Sequence, residues 1–264
     1  MTAETGPQGG TTPLAPARPP PTRTPRTPEA ERLLPAAATK LAWLVAACCA
    51  VIVAGLPLLF GRRGYSDWLD RTFDHAVKAM YGSGHYHLLT WLASPGTLVP
   101  IAALIVIIAA CCLLTRRTGG AALAVISVPA AVVLTEHVLK PLVNRSTLGF
   151  SSYPSGHACS TFAIATVLAI VLFGPLGRAA PRALRLIVTL AGLLVACVVS
   201  TAVIALGWHY CTDTIGGAAI AICVVTVTAL VLDWPALRRL LAAADSWLGR
   251  HVIDRYRGGR RRDR

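Results

Sequence analysis

The chain has 264 residues, of which 55% are hydrophobic and only 14% charged. Soluble domains average roughly 25% charged residues, so the composition excludes an ordinary water-solvated globule and points to a chain largely solvated by lipid. The formal net charge is +13, with 25 Lys and Arg against 12 Asp and Glu. Such a balance suits either nucleic acid or an anionic membrane surface. The basic residues gather in the tails and in short loops between apolar runs, which favours the bilayer as partner and implies no nucleic acid.

Met1 to Ala38 is rich in Pro, Thr and Ala and has no apolar period. It reads as a disordered tail, not a signal peptide, because the first apolar run begins late and lacks a clear cleavage site. Six apolar runs follow, each close to the ~20 residues that cross a hydrocarbon core. They are Leu41–Phe60, Leu98–Leu114, Ala121–Val143, His157–Phe173, Leu184–Leu206 and Asp213–Leu232. None alternates as a barrel strand would, so the expected fold class is all-α, an integral membrane bundle of six transmembrane helices.

Four basic segments then set the orientation. Arg18, Arg23, Arg26, Arg32 and Lys40 precede the first run, Arg116 and Arg117 follow the second, and Arg178, Arg182 and Arg185 lie between the fourth and fifth. Arg238, Arg239 and the 260–262 run follow the sixth. With six spans all four segments share one side, which the positive-inside rule makes cytoplasmic. The expected localisation is therefore a multi-pass plasma-membrane protein with both termini cytoplasmic.

The first external loop, residues 61–96, is long. Its Arg62, Arg63, Arg71 and Lys78 are partly offset by Asp67, Asp70 and Asp74. Within it Trp68, Leu69, Phe73, Val77 and Met80 recur at helical spacing, which predicts an amphipathic helix at the outer interface. Pro235 to Ile253, apolar on one face and basic on the other, reads as a helix on the inner leaflet. The domain reading is a tail over 1–38, a six-span domain over 39–234 and a basic amphipathic tail over 235–264. Cys159 and Cys211 are close enough to the polar motifs for a bridge to be conceivable; the other six cysteines lie within apolar runs as small hydrophobes.

The chemistry gathers at the outer ends of the last four runs. Lys140 closes the third, and Arg145 follows it. Pro154, Ser155, Gly156 and His157 open the fourth, and His209 and Asp213 lie between the fifth and sixth. Charged groups at this depth are costly, so their convergence argues for a task. Pro154 ends any preceding helix, Gly156 lets backbone approach a ligand, and a helix N-terminus attracts phosphate. Ser155 adds a hydroxyl donor, and Lys140 and Arg145 neutralise phosphate oxygens. His209 and Asp213 are one helical turn apart, so the carboxylate is expected to take one ring proton and leave the other nitrogen free to attack. His157 is placed to protonate a leaving alkoxide and then activate water. This arrangement calls for no metal or other cofactor. Glu136, one turn before Lys140, is expected to pair with it. Trp68, Trp91, Trp208 and Trp234 fall near span ends as interface anchors, and Trp208 is a candidate wall for the pocket.

These residues resemble the type 2 phosphatidic acid phosphatase superfamily of integral membrane lipid phosphatases, whose motifs are K-x6-R-P, P-S-G-H and S-R-x5-H-x3-D. The second motif is complete at Pro154–His157, and His209 and Asp213 match the third at the right spacing. Thr147 and Leu148 stand where the first motif has Arg-Pro, and Ala202 and Val203 where the third has Ser-Arg. The resemblance implies His209 as a nucleophile that forms a phosphohistidine, Asp213 as its orienting group and His157 as the general acid. Lys140, Ser155 and the backbone of Gly156 would hold the phosphate; Arg145 is added on chemistry alone.

The expected activity is hydrolysis of a phosphomonoester or pyrophosphate on a polyprenyl or glycerophospholipid, with the lipid phosphate as partner and the site facing outward. The alternatives are a lipid-phosphate-binding membrane protein without catalysis, supported by the two absent arginines, and a phosphoryl transferase on the same fold.

Overall fold

The computed structural model describes residues 32–60, 68–82, 84–175, 177 and 180–248. The elements in chain order are α1 (Thr39–Phe60), α2 (Trp68–Tyr81), α3 (Tyr86–Ala93), α4 (Leu98–Leu114), α5 (Thr118–Val133), α6 (Lys140–Val143), a hairpin of β1 (Ser146–Thr147) and β2 (Phe150–Ser151), α7 (Gly156–Phe173), α8 (Arg182–Ala205), α9 (Cys211–Leu232) and α10 (Pro235–Leu248). Six helical segments are long and apolar enough to cross a membrane: Ala36–Leu58, Tyr86–Leu114, Thr118–Val143, Gly156–Phe173, Arg182–Ala205 and Cys211–Leu232. The fold is the expected all-α membrane bundle. The second span begins earlier than the apolar run suggested, because α3 and a tight turn at Ser94–Gly96 lead directly into α4.

α7 and α9 form the centre of the bundle and pack against each other, with α1 and α5 on α9, α5 and α8 on α7, and α4 on α5. Without a hydrophobic driving force between helices in lipid, close packing needs small side chains at the seam. Gly217 of α9, set against Ala158 and the backbone of Cys159 in α7, supplies this. The tightest point is Gly217, where an added Cβ would collide with the backbone carbonyl of Ser155 and come within 3.2 Å of Ala158 Cβ. Backbone cannot yield as a side-chain tip can. Gly217→Ala is therefore expected to destabilise the detergent-solubilised protein by about 1–3 kcal/mol, read as a lower melting temperature. An unchanged melting temperature would show that α7 and α9 are less closely apposed than described.

α2 is amphipathic as predicted, but its two faces are used unexpectedly. Trp68, Phe73 and Met80 are exposed, whereas Asp70 and Asp74 are buried. The helix lays its acidic side on the protein and leaves its apolar side outward, which an interfacial helix at a lipid boundary can do. Of the loop charges weighed in the sequence, Arg62, Arg63 and Asp67 lie outside the described residues.

At the opposite end of the bundle, Leu33 and Leu34 are buried and their N–H groups donate to the Asp233 carboxylate at 2.7 and 2.9 Å. The boundary expected after residue 38 thus falls inside ordered backbone, because an apolar pair and a helix-end carboxylate tie residues 33–34 down. Most of the expected N-terminal tail, residues 1–31, lies outside the described residues, as does the C-terminal stretch from 249. α10 is held to the start of α5 by Thr118, whose N–H donates to Asp245 at 3.0 Å and whose hydroxyl donates to the Leu241 carbonyl.

Candidate active site

A cavity of about 630 Å³ opens at the end of the bundle where α4, α7 and α9 begin and α5 and α8 finish. Its apolar lining residues include Leu98, Ile101, Val132, Leu148, Phe150 and Trp208. Its polar lining includes Glu136, Lys140, Thr147, Gly156, His157, Ser160 and His209.

Each polar group is delivered by a separate local device. The span that contains α5 passes through a π turn at Leu134–Leu139 before α6, and this places Glu136 and Lys140 on the cavity wall. Pi turns are uncommon insertions in α-helices and occur often at functional sites. Lys140 Nζ is 2.7 Å from Glu136 Oε2, the pairing expected from their spacing. The chain then reverses in a two-residue hairpin turn at Leu148–Gly149, with Thr147 opposite Phe150. Both turn residues have positive φ, +49° and +81°. Proline, the residue of the family motif at position 148, is locked near −65° and cannot take that conformation. The departure from Arg-Pro is thus matched by a different loop, with Thr147 on the cavity wall.

His157 is the second residue of α7, and its ring packs against Gly96, where an added Cβ would meet it at 3.0 Å. His209 is buried, and its Nδ1 lies 2.8 Å from the Ser152 carbonyl oxygen. A carbonyl only accepts, so Nδ1 carries the proton and Nε2 of the neutral ring keeps its lone pair. The ring centroids of His157 and His209 are 6.3 Å apart, and Trp208 flanks His157 at 5.9 Å. Imidazoles at that separation can contact opposite sides of one tetrahedral anion.

Three expected assignments need correction. Asp213 does not take the proton of His209: its Oδ2 is 3.9 Å from Nδ1 and instead accepts from the Tyr210 N–H at 2.9 Å. A carboxylate three residues into a helix is well placed to cap its own N-terminus, and that bond wins here. Ser155 does not line the cavity; it is fully buried as the N-cap of α7, accepting weakly from the Ala158 N–H at 3.4 Å.

Arg145 is likewise absent from the cavity wall, with 1% of its surface exposed. Its Nη2 lies 2.5 Å from Asp70, its Nη1 lies 2.9 Å from Asp213 and 2.7 Å from Thr212 Oγ1, and its guanidinium stacks on the Tyr210 ring at 4.4 Å. The physical reason is charge neutralisation: two buried carboxylates hold a buried guanidinium far more strongly than a solvated site could. Lys140 is the single Lys or Arg on the cavity wall among the described residues.

Asp70 and Asp74 were missed as members of this assembly. Asp70 also accepts from the N–H and hydroxyl of Thr212, at 2.9 and 2.8 Å, and Asp74 accepts from the Cys211 N–H at 3.0 Å. Both thus sit on the N-terminus of α9, where acceptors for free N–H groups are favoured. Burial pushes the Asp74 carboxyl up to about 6, opposed by that backbone bond. The available signal was the four-residue spacing of the two aspartates on the side of α2 opposite its apolar stripe. Cys159 and Cys211 are both free thiols, and Cys159 accepts from the Thr135 hydroxyl at 3.2 Å. His137, one residue beyond Glu136, is exposed.

Fold and site together define a multi-pass helical membrane protein with an imidazole-lined cavity at one end. Residues 129–236 match the family model described as the PAP2 superfamily. One solved structure similar to it is a transmembrane PAP2 type phosphatidylglycerolphosphate phosphatase from Bacillus subtilis, with a TM-score of 0.58 and 18% sequence identity over 71% of this chain and 95% of that one. At that identity the likeness speaks to the fold. No curated protein matches the chain. The two family arginine positions are Thr147 on the hairpin and Val203, which is buried beneath Leu89 and Ala93 of α3.

Proposed function

We propose that the protein is a membrane lipid phosphatase that cleaves a phosphomonoester or pyrophosphate on a polyprenyl or glycerophospholipid at the outer face of the plasma membrane. The observation that carries this reading is the placement of His157 and His209 across one amphiphilic cavity, beside Lys140 and the N-terminus of α7. The match of residues 129–236 to the PAP2 superfamily model supports it. His209 Nε2 attacks phosphorus, the bond from phosphorus to the lipid oxygen breaks, and His157 supplies the proton to the leaving oxygen. Water then attacks the phosphohistidine, gives its proton to His157 and releases phosphate. Lys140 and the Gly156 backbone hold the non-bridging oxygens. Asp213 and Arg145 act as positioning residues: they brace the start of α9 and the loop whose Ser152 carbonyl orients His209.

Purified full-length protein in detergent, given phosphatidic acid, phosphatidylglycerophosphate, a polyprenyl phosphate and a polyprenyl diphosphate, should release phosphate from at least one of them, with and without chelator. Acid-labile, alkali-stable label on the protein after rapid quench would report the phosphohistidine. A second reading, binding without turnover, is favoured by the absence of arginine at Thr147 and Val203. Saturable lipid-phosphate binding with no phosphate release from the whole panel would establish it in place of the first.

A further inference from the structure

Glu136 is the sole acidic side chain on the cavity wall among the described residues, and the mechanism above gives it no task. Its two oxygens have different neighbours. Oε2 lies 2.7 Å from Lys140 Nζ. Oε1 lies against Gly156, the first residue of α7, so closely that a Cβ there would collide with it. The carboxylate therefore fills the space between the cavity's lysine and the end of the helix whose free N–H groups attract anions. It is 36% exposed, so it is not locked in the protein interior. Its backbone lies within the π turn that delivers both residues to the wall.

We propose that Glu136 is a resident competing anion: at rest it occupies the phosphoryl subsite, and an incoming phosphate must displace it from Lys140. This rests on the phosphatase reading and adds specificity to it. A free phosphate has only Lys140, the helix end and the imidazoles with which to displace the carboxylate. A lipid phosphate adds its hydrocarbon tail, buried against Leu98, Ile101 and Phe150, at roughly 0.8 kcal/mol per methylene. The site therefore favours phosphate on a tail over free phosphate, and it releases the inorganic product readily because the carboxylate returns.

The test is equilibrium binding of radiolabelled inorganic phosphate to full-length protein in detergent. Glu136→Gln keeps the side-chain shape and an acceptor for Lys140 but removes the charge; Glu136→Ala is the second variant, and both are checked by melting temperature. The variants should bind phosphate at least tenfold more tightly than wild type and show stronger product inhibition. A merely structural role for Glu136 would not raise affinity. Unchanged or weaker binding by the variants, with measurable binding by wild type, overturns the competing-anion proposal and leaves the phosphate site standing. No phosphate binding by any of the three proteins overturns the proposal and the phosphate-site reading together.

Discussion

His209→Ala should abolish phosphate release, lowering turnover by about 10⁴-fold to 10⁶-fold, as expected when a covalent nucleophile is removed. The loss should come with little change in stability. His209 gives up one hydrogen bond to the Ser152 carbonyl, worth about 1 kcal/mol, and its ring otherwise faces the cavity that it lines. Melting temperature in detergent and lipid-phosphate binding should both persist while the phosphohistidine label disappears. Residual turnover within tenfold of wild type would mean that another group attacks phosphorus, and the assignment of His209 would fall.

Arg145→Ala should act through the fold. The substitution leaves Asp70 and Asp213 as buried carboxylates without their common counter-ion, and breaking a buried ion pair from one side typically costs about 3–5 kcal/mol. For a chain of this size that corresponds to a fall in melting temperature on the order of 10 °C. Arg145→Lys should recover only part of it, because a single ammonium cannot reproduce the planar fork that reaches Asp70, Asp213 and Thr212 together. Melting temperatures of the three proteins decide the matter. A normally stable Arg145→Ala protein with a raised KM would restore the arginine to the phosphate and remove it from the brace.

The contrast between these two outcomes follows from how the site is built. His209 and His157 meet the cavity directly, and their separation is set by α7 and the turn before α9. The network of Asp70, Arg145 and Asp213 lies behind them and ties α2, the hairpin loop and the start of α9 into one unit. The two family arginines are absent, yet their places are structurally filled. A left-handed turn follows Thr147, and α3 covers Val203.

Much of this was legible along the chain. The six spans are long apolar runs, and lipid leaves a backbone little choice but to satisfy its hydrogen bonds locally, so their number and near-boundaries follow from composition alone. The π turn and the early start of the second span were not legible, since both depend on neighbours that hold an irregular backbone in place. The convergence of Lys140, Gly156, His157 and His209 could be read from motif order and span parity, and the pairing of Glu136 with Lys140 from helical spacing. The partners of Arg145, Asp213 and Ser155 could not. Short-range spacing puts Asp213 within one turn of His209, but an Asp70 carboxylate 75 residues before Arg145 and a backbone N–H at Tyr210 redirect both charges. Local sequence determines which groups reach the membrane face. Which of them turns into the cavity and which turns into the protein is decided by the cost of burying charge, and that cost is settled only when α2, the hairpin and α9 are packed together.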